Sequence, residues 1–172
     1  MAEALAHIRE ITDLGMIQIR ADLTEAGAAI TKAAAIPLPG PTSTTTNGSR
    51  RLCWMSPDEL LLVLPQAELA VALAELTTAL AGQHVLVLDV SDMRAAFAVE
   101  GGRADQVLAK LSPTDLAAMP ADGMRRSRAA QVACGFWRQE GGFVLIGFRS
   151  VADYLRGLLD NAARAETGLD PR

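Results

Sequence analysis

Two thiols, two imidazoles and one short acidic turn are the side chains of this 172-residue sequence best suited to chemistry. A thiol reacts or binds metal as the thiolate, which needs an electropositive neighbour or a partner ligand. Cys53 and Cys134 belong to no CxxC and to no Cys/His cluster, so their spacing does not describe a metal site. His7 and His84 are the only histidines and lie far apart, His7 in a terminus expected to fray and His84 at a strand start. Neither has the neighbours that a catalytic base or a zinc ligand needs. Asp89, Ser91, Asp92 and Arg94 superficially suit a metal or a phosphate. No histidine or further carboxylate stands at ligand spacing nearby, however, and a short acidic turn that caps strand ends and pairs with Arg94 accounts for them. Gly101-Gly102 precedes a helix without a GxGxxG or Walker pattern, so a glycine turn feeding the helix at Arg103 suffices. The sequence therefore predicts no catalytic, cofactor-binding or metal-ligating residue.

Chemistry of contact is better represented. Arg125, Arg126 and Arg128 form the densest basic cluster, with Arg50-Arg51 a smaller one, on a chain of net charge -4. A planar guanidinium suits bidentate pairing with a partner's carboxylates; a solvated strand edge is the other reading of the same residues. Trp54 and Trp137 are either interface anchors or core. These five residues are the interface candidates. Nucleic acid is a poor partner, because the chain is acidic and only 4% aromatic, and so lacks both the electrostatic attraction and the stacking platform.

The elements that position these residues follow from periodicity. Half of the residues are hydrophobic, enough for one domain over 1–172, read as two intimately packed halves, about 11–82 and 83–165. Met16 to Asp22 alternates as a strand, and an Ala-rich helix follows over about 24–34 with Thr24 as its cap. Three prolines, Pro37, Pro39 and Pro41, then lead into a Ser/Thr/Asn-rich run read as an exposed loop over about 37–50. Arg51 to Met55 and Leu60 to Leu64 flank the turn Ser56-Pro57-Asp58-Glu59, and a helix over about 66–81 carries the stripe Leu69, Leu73, Leu76, Leu80. The same grammar returns in a strand Ala130 to Arg138, a turn Gln139 to Gly142, a strand Phe143 to Phe148, and a helix Val151 to Arg164 with the stripe Val151, Leu155, Leu158, Ala162. Trp54 and Trp137 stand at equivalent places before their turns, so the two passages read as divergent copies of one strand-strand-helix unit, with Leu73 and Leu155 equivalent. A strand pair, His84 to Asp89 with Arg94 to Glu100, and a helix over about 103–111 lie between them. Adjacent strands joined by short turns pair antiparallel, so the class is α+β with largely antiparallel sheets. No run of about 18 apolar residues suggests a membrane span. The stretch Met1 to Ile11 lacks the basic start and apolar run of a targeting signal, and with two lone cysteines a reduced, cytoplasmic setting is expected.

Val87-Leu88-Asp89-Val90-Ser91-Asp92-Met93-Arg94, followed by Val99-Glu100-Gly101-Gly102-Arg103-Ala104-Asp105 and Leu108, resembles the folate-binding aminomethyltransferase superfamily of the glycine cleavage T protein. Within it, Trp54 to Leu61, Ser127 to Arg138 and Phe143 to Leu159 are most similar to the gamma subunits of heterotetrameric sarcosine oxidase. The likeness spans about 11–163. It implies the aminomethyltransferase folate-binding-domain fold and a subunit of an oxidoreductase complex that is not catalytic by itself. Alpha, beta and delta subunits would be its partners, and FAD, FMN, NAD, zinc and tetrahydrofolate would be bound in those partners rather than in this chain. The implied reaction is oxidative demethylation of sarcosine to glycine, with transfer of the one-carbon unit to tetrahydrofolate and production of hydrogen peroxide. The chain departs from the catalytic T proteins at Ala130-Gln131-Val132-Ala133-Cys134, where acidic residues of those enzymes have no counterpart, so folate catalysis is not expected. The alternatives are a free-standing folate-binding aminomethyltransferase-like protein, or the equivalent subunit of a related N-methyl amino acid oxidase or dehydrogenase.

Overall fold

The structure, a computed structural model, describes residues 3–169, so Met1 and Ala2 of the amino-terminal stretch lie outside it. In chain order its elements are β1 (His7–Ile11), β2 (Leu14–Arg20), α1 (Leu23–Ala34), β3 (Thr44–Asn47), β4 (Arg50–Ser56), β5 (Glu59–Pro65), α2 (Leu69–Ala79), β6 (Leu86–Asp89), β7 (Arg94–Glu100), α3 (Ala104–Leu111), β8 (Met124–Ala129), β9 (Val132–Gln139), β10 (Gly142–Phe148) and α4 (Ala152–Ala162). They form two units: one is Asp13–Asp92, and the other joins the residues up to Thr12 to those from Met93 onward. Among the described residues no helix is long and apolar enough to cross a membrane.

The unit Asp13–Asp92 is a five-stranded sheet in the order β3-β4-β5-β2-β6, with every pairing antiparallel. Strand alternation sends Ile17, Ile19, Leu52, Leu60, Leu62 and Leu64 to the face covered by α1 and α2, where Ile30, Ala72 and Leu76 meet them. Burial of this aliphatic set is the main stabilising term of the unit. Asp22 opens α1 by accepting the Thr24 N–H at 2.8 Å, so the cap is Asp22 and not Thr24. A carboxylate also suits the positive end of the helix better than a hydroxyl does.

The second unit repeats the plan, with the sheet order β1-β7-β10-β9-β8, again all antiparallel. Phe97, Phe136, Phe143, Leu145, Leu155 and Leu159 centre its core against α3 and α4, and Phe136 meets Phe143 edge to face with centroids 6.2 Å apart. The correspondence is complete, because β2-α1-β3-β4-β5-α2 matches β7-α3-β8-β9-β10-α4 in both order and pairing. Where β6 closes the first sheet beside β2, the amino-terminal β1 takes the same place beside β7.

Five expectations give way. β6 and β7 do not pair; each joins a different sheet. The connection between them is instead stitched to β2: Val90 N–H donates to the Met16 carbonyl at 2.8 Å and Ser91 Oγ accepts from Met16 N–H at 2.9 Å. β6 therefore belongs with the residues before it, and the units divide after Asp92 rather than near residue 82. The stretch read as a loop contains β3, whose β-branched threonines pair with β4, and Thr44 is buried. His7 does not lie in a frayed segment, since it opens β1, a paired edge strand. Ala130 is in a turn with φ 51°, between β8 and β9, and not in a strand.

Candidate functional site

The two thiols and the acidic turn are each engaged by their own surroundings. Cys53, on β4, is fully buried, and burial pushes its thiol up to about 12, with the nearby Arg51 only partly opposing this. Cys134, on β9, is 8% exposed and burial likewise pushes it up to about 12. Both are free thiols. A thiol with so high a pKa supplies almost no thiolate near neutrality and is neither nucleophile nor ready metal ligand. Asp89 accepts from Ser91 N–H at 2.9 Å and from Ser91 Oγ at 2.6 Å, a local turn bond that spends the serine hydroxyl on structure. Arg94 stacks over the Phe148 ring, 5.7 Å from its centroid. Gly101, at φ 149°, donates its N–H to the Gly141 carbonyl at 2.8 Å, and the turn feeds α3 as the sequence predicted. His7 and His84 are both exposed. Among the described residues no three His, Cys, Asp or Glu side chains gather in a way that could hold a metal ion.

A groove of about 870 Å³ opens beside β6, lined among others by Arg20, Asp22, Pro57, Asp58, His84 and Leu86. Its charges are ionised and largely spoken for. Arg20 Nη2 donates to Asp58 Oδ2 at 2.7 Å. The Ser56 hydroxyl and then Arg20 hold the Asp58 carboxyl below its ordinary range. Thr24, through its hydroxyl and its N–H, does the same for Asp22. Carboxylates tuned downward stay charged at neutral pH, so they bind cations rather than transfer protons.

The interface candidates separate. Arg126 and Arg128 are exposed on β8, an edge strand, while Arg125 is half-buried and its Nη1 donates to the Met124 carbonyl at 2.8 Å. Trp54 and Trp137 each stand three residues before a turn, at Pro57 and Glu140, but a bulge after Trp54 puts them out of register: Trp54 pairs Leu60, the second residue of β5, and Trp137 pairs Val144, the third of β10, so the expected equivalence fails. Trp54 is half-buried, whereas Trp137 is 3% exposed and lies inside the fold. The open edge of β6, beside the groove, is the surface that sequence reasoning missed; the alternation of Leu86 and Leu88 was its signal, hidden by the assumption that β7 covered it.

The chain's relatives bear on this pattern of spent chemistry and open edges. The family model described as sarcosine oxidase, gamma subunit family matches residues 20–166. Sarcosine oxidase subunit gamma of Corynebacterium sp. (strain P-1) is 36% identical over 129 residues, 67% of this chain and 62% of that protein. The match thus spans less than two thirds of the relative's length. In fold, the chain is similar to one of the heterotetrameric sarcosine oxidase from Corynebacterium sp. U-96 in complex with pyrrole 2-carboxylate, with a TM-score of 0.88 at 24% identity over 97% of this chain and 88% of that one. It is also similar to glycine cleavage system aminomethyltransferase T from Bartonella henselae, with a TM-score of 0.68 at 17% identity over 91% of this chain and 46% of that one, which identifies the aminomethyltransferase fold. Because the family model covers most of the sequence, the chain belongs to the sarcosine oxidase gamma subunit family.

Proposed function

We propose that this chain is the non-catalytic gamma subunit of a heterotetrameric sarcosine oxidase and contributes contact surface to the assembly. In this reading alpha, beta and delta partners hold FAD, FMN, NAD, zinc and tetrahydrofolate. The complex, in the cytoplasm, demethylates sarcosine to glycine, passes the one-carbon unit to tetrahydrofolate and releases hydrogen peroxide. The observation that carries the proposal, alongside family membership, is that both thiols are held protonated in the interior while Arg126 and Arg128 stand exposed on a strand edge. Thiol chemistry is suppressed, and a basic strand edge is displayed.

Co-expression with the large flavoenzyme subunit tests this. The chain is expected to co-elute with that subunit at fixed stoichiometry and to show no flavin absorbance when purified alone. Stoichiometric flavin on the lone chain would overturn the reading. The likeness to aminomethyltransferase T across 91% of this chain favours a second reading, a free-standing folate-binding protein. Tight calorimetric binding of tetrahydrofolate by the lone, monomeric chain would establish that reading in place of the first.

A further inference from the structure

We propose that the outer edge of β6, with Leu86 and Leu88 on its open face, is the strand onto which an extended segment of the partner subunit adds, carrying apolar side chains at alternate positions and a lysine or arginine beside them. The inference rests on the subunit reading above and names its docking surface.

The two sheets present four edges: β3, β6, β8 and β1. An edge strand exposes unpaired backbone groups that template pairing with another chain, and proteins usually blunt it with charge or polarity. Three of the four are blunted. β1 exposes His7 and Arg9, the latter paired with Glu100 at 3.3 Å. β8 exposes Arg126 and Arg128, and β3 exposes Thr46 and Asn47. β6 alone turns leucines outward, with Leu86 45% and Leu88 46% exposed. The contrast with β1 is pointed, because β1 holds the same place in the other unit's topology.

The register says which backbone groups are offered. Val90 N–H donates to the Met16 carbonyl, and Leu88 and Leu86 face Gln18 and Arg20 in the same ladder. In an antiparallel pair hydrogen-bonded positions alternate, so the N–H and C=O groups of Val87 and Asp89 point away from β2. Val87 packs its side chain against the core, which fixes the strand and leaves both leucines on the opposite face. An incoming strand would therefore bond to Val87 and Asp89 and lay apolar side chains beside Leu86 and Leu88.

Charge selects the occupant. Arg20 in the adjoining groove is neutralised by Asp58, which leaves Asp22 in the groove and Asp89 on the strand as exposed carboxylates. An acidic margin beside an apolar edge suits a segment that is apolar and basic, and disfavours another copy of this acidic edge.

The test uses the chain co-expressed with its large partner subunit, comparing wild type with Leu86→Lys/Leu88→Lys and with Val71→Lys, which alters a still more open apolar residue on α2. The double variant is expected to weaken association at least about tenfold, with the melting temperature of the lone chain within about 2 °C of wild type because both sites are exposed. Val71→Lys is expected to assemble normally. Amide exchange at Val87 and Asp89 should slow in the wild-type complex, a readout that mere surface polarity would not move. Undiminished assembly of the double variant, with unchanged exchange at those amides, would overturn the β6 assignment while leaving the subunit reading intact. Loss of assembly on Arg126→Glu/Arg128→Glu together with undiminished assembly of the leucine double variant would overturn it in favour of β8, and a lone-chain dimer abolished by the leucine substitutions would do so in favour of self-pairing. Failure of the wild-type chain to associate at all would instead sink the subunit reading.

Discussion

Gly147 of β10 and Leu155 of α4 meet so closely that a Cβ on the glycine would fall on the leucine's Cδ1. In the other unit the same two places, the penultimate strand residue and the fourth helical residue, are held by Leu64 and Ala72, both fully buried. The repeated architecture thus keeps its volume while exchanging which element supplies it, as a close-packed interior requires. Gly147→Ala should cost about 1–3 kcal/mol by overpacking, and Leu155→Ala about 2–5 kcal/mol by leaving a cavity. The double variant should cost less than the sum by more than about 0.5 kcal/mol, because each change relieves the other. Urea unfolding of the four proteins measures this, and strict additivity would contradict the contact.

That pairing also shows where sequence reasoning stopped. The hairpin-helix repeat is legible, because turn residues and alternation are local signals; the bulge after Trp54 that puts the two tryptophans out of register is not. The helical stripes equate Leu73 with Leu155, but the residue equivalent to Leu155 is Ala72, and Leu73 is only half-buried. Leucine looks like a core residue whatever its angle on the helix, and the short 3₁₀ turns before α2 and α4 shift the phase by an amount that periodicity does not reveal. β1 and β6 were harder still, since strand partnership across distant segments is a non-local property. The buried state of Cys134 was legible from its strand position.

The thiols give a pH dependence with a definite sign. Folding raises Cys53 and Cys134 from an ordinary 9.0 to about 12 by burial, so the native state holds these protons more tightly than the unfolded chain. The associated stability is complete below about pH 9 and is lost as pH rises toward about 12. Urea midpoints should fall over that interval, and a Cys53→Ala/Cys134→Ala chain should show a shallower fall. Alkylation by iodoacetamide at pH 8 should be slow in buffer and rapid in denaturant; rapid labelling of the native chain would refute the assignment.

Two adjacent glycines separate backbone freedom from space. Gly141 has φ 78° with open surroundings, whereas Gly142 has φ 157° and a Cβ there would collide with the Val99 carbonyl oxygen of β7. Both conformations disfavour an L side chain, but only the second also forces apart the β7–β10 ladder. Gly141→Ala should cost about 1 kcal/mol and Gly142→Ala clearly more, about 2–3 kcal/mol. Thermal melts of the two single variants decide it, and equal losses would mean that the ladder yields at no cost.

Lys110 of α3 ties down the chain after α4. Its Nζ donates to the Ala162 carbonyl, at the end of α4, and to the Thr167 carbonyl at 3.0 Å and hydroxyl at 2.7 Å. A cation at a helix carboxyl end also meets the negative pole of the helix dipole. Burial, and secondarily Arg103, lowers the lysine's pKa, so the ammonium is retained against some desolvation by these three acceptors. Lys110→Met keeps the aliphatic stem but leaves the acceptors without their donor, and should destabilise the protein by about 1–3 kcal/mol. The loss should be local first. Leu169, whose N–H donates to Gln106 Oε1 at 2.9 Å, should exchange its amide faster in the variant, while amides of the β7–β10 ladder should keep their protection relative to the global stability. Uniform acceleration across the whole unit would show that the lysine supports the fold as a whole and not the carboxyl-terminal strap.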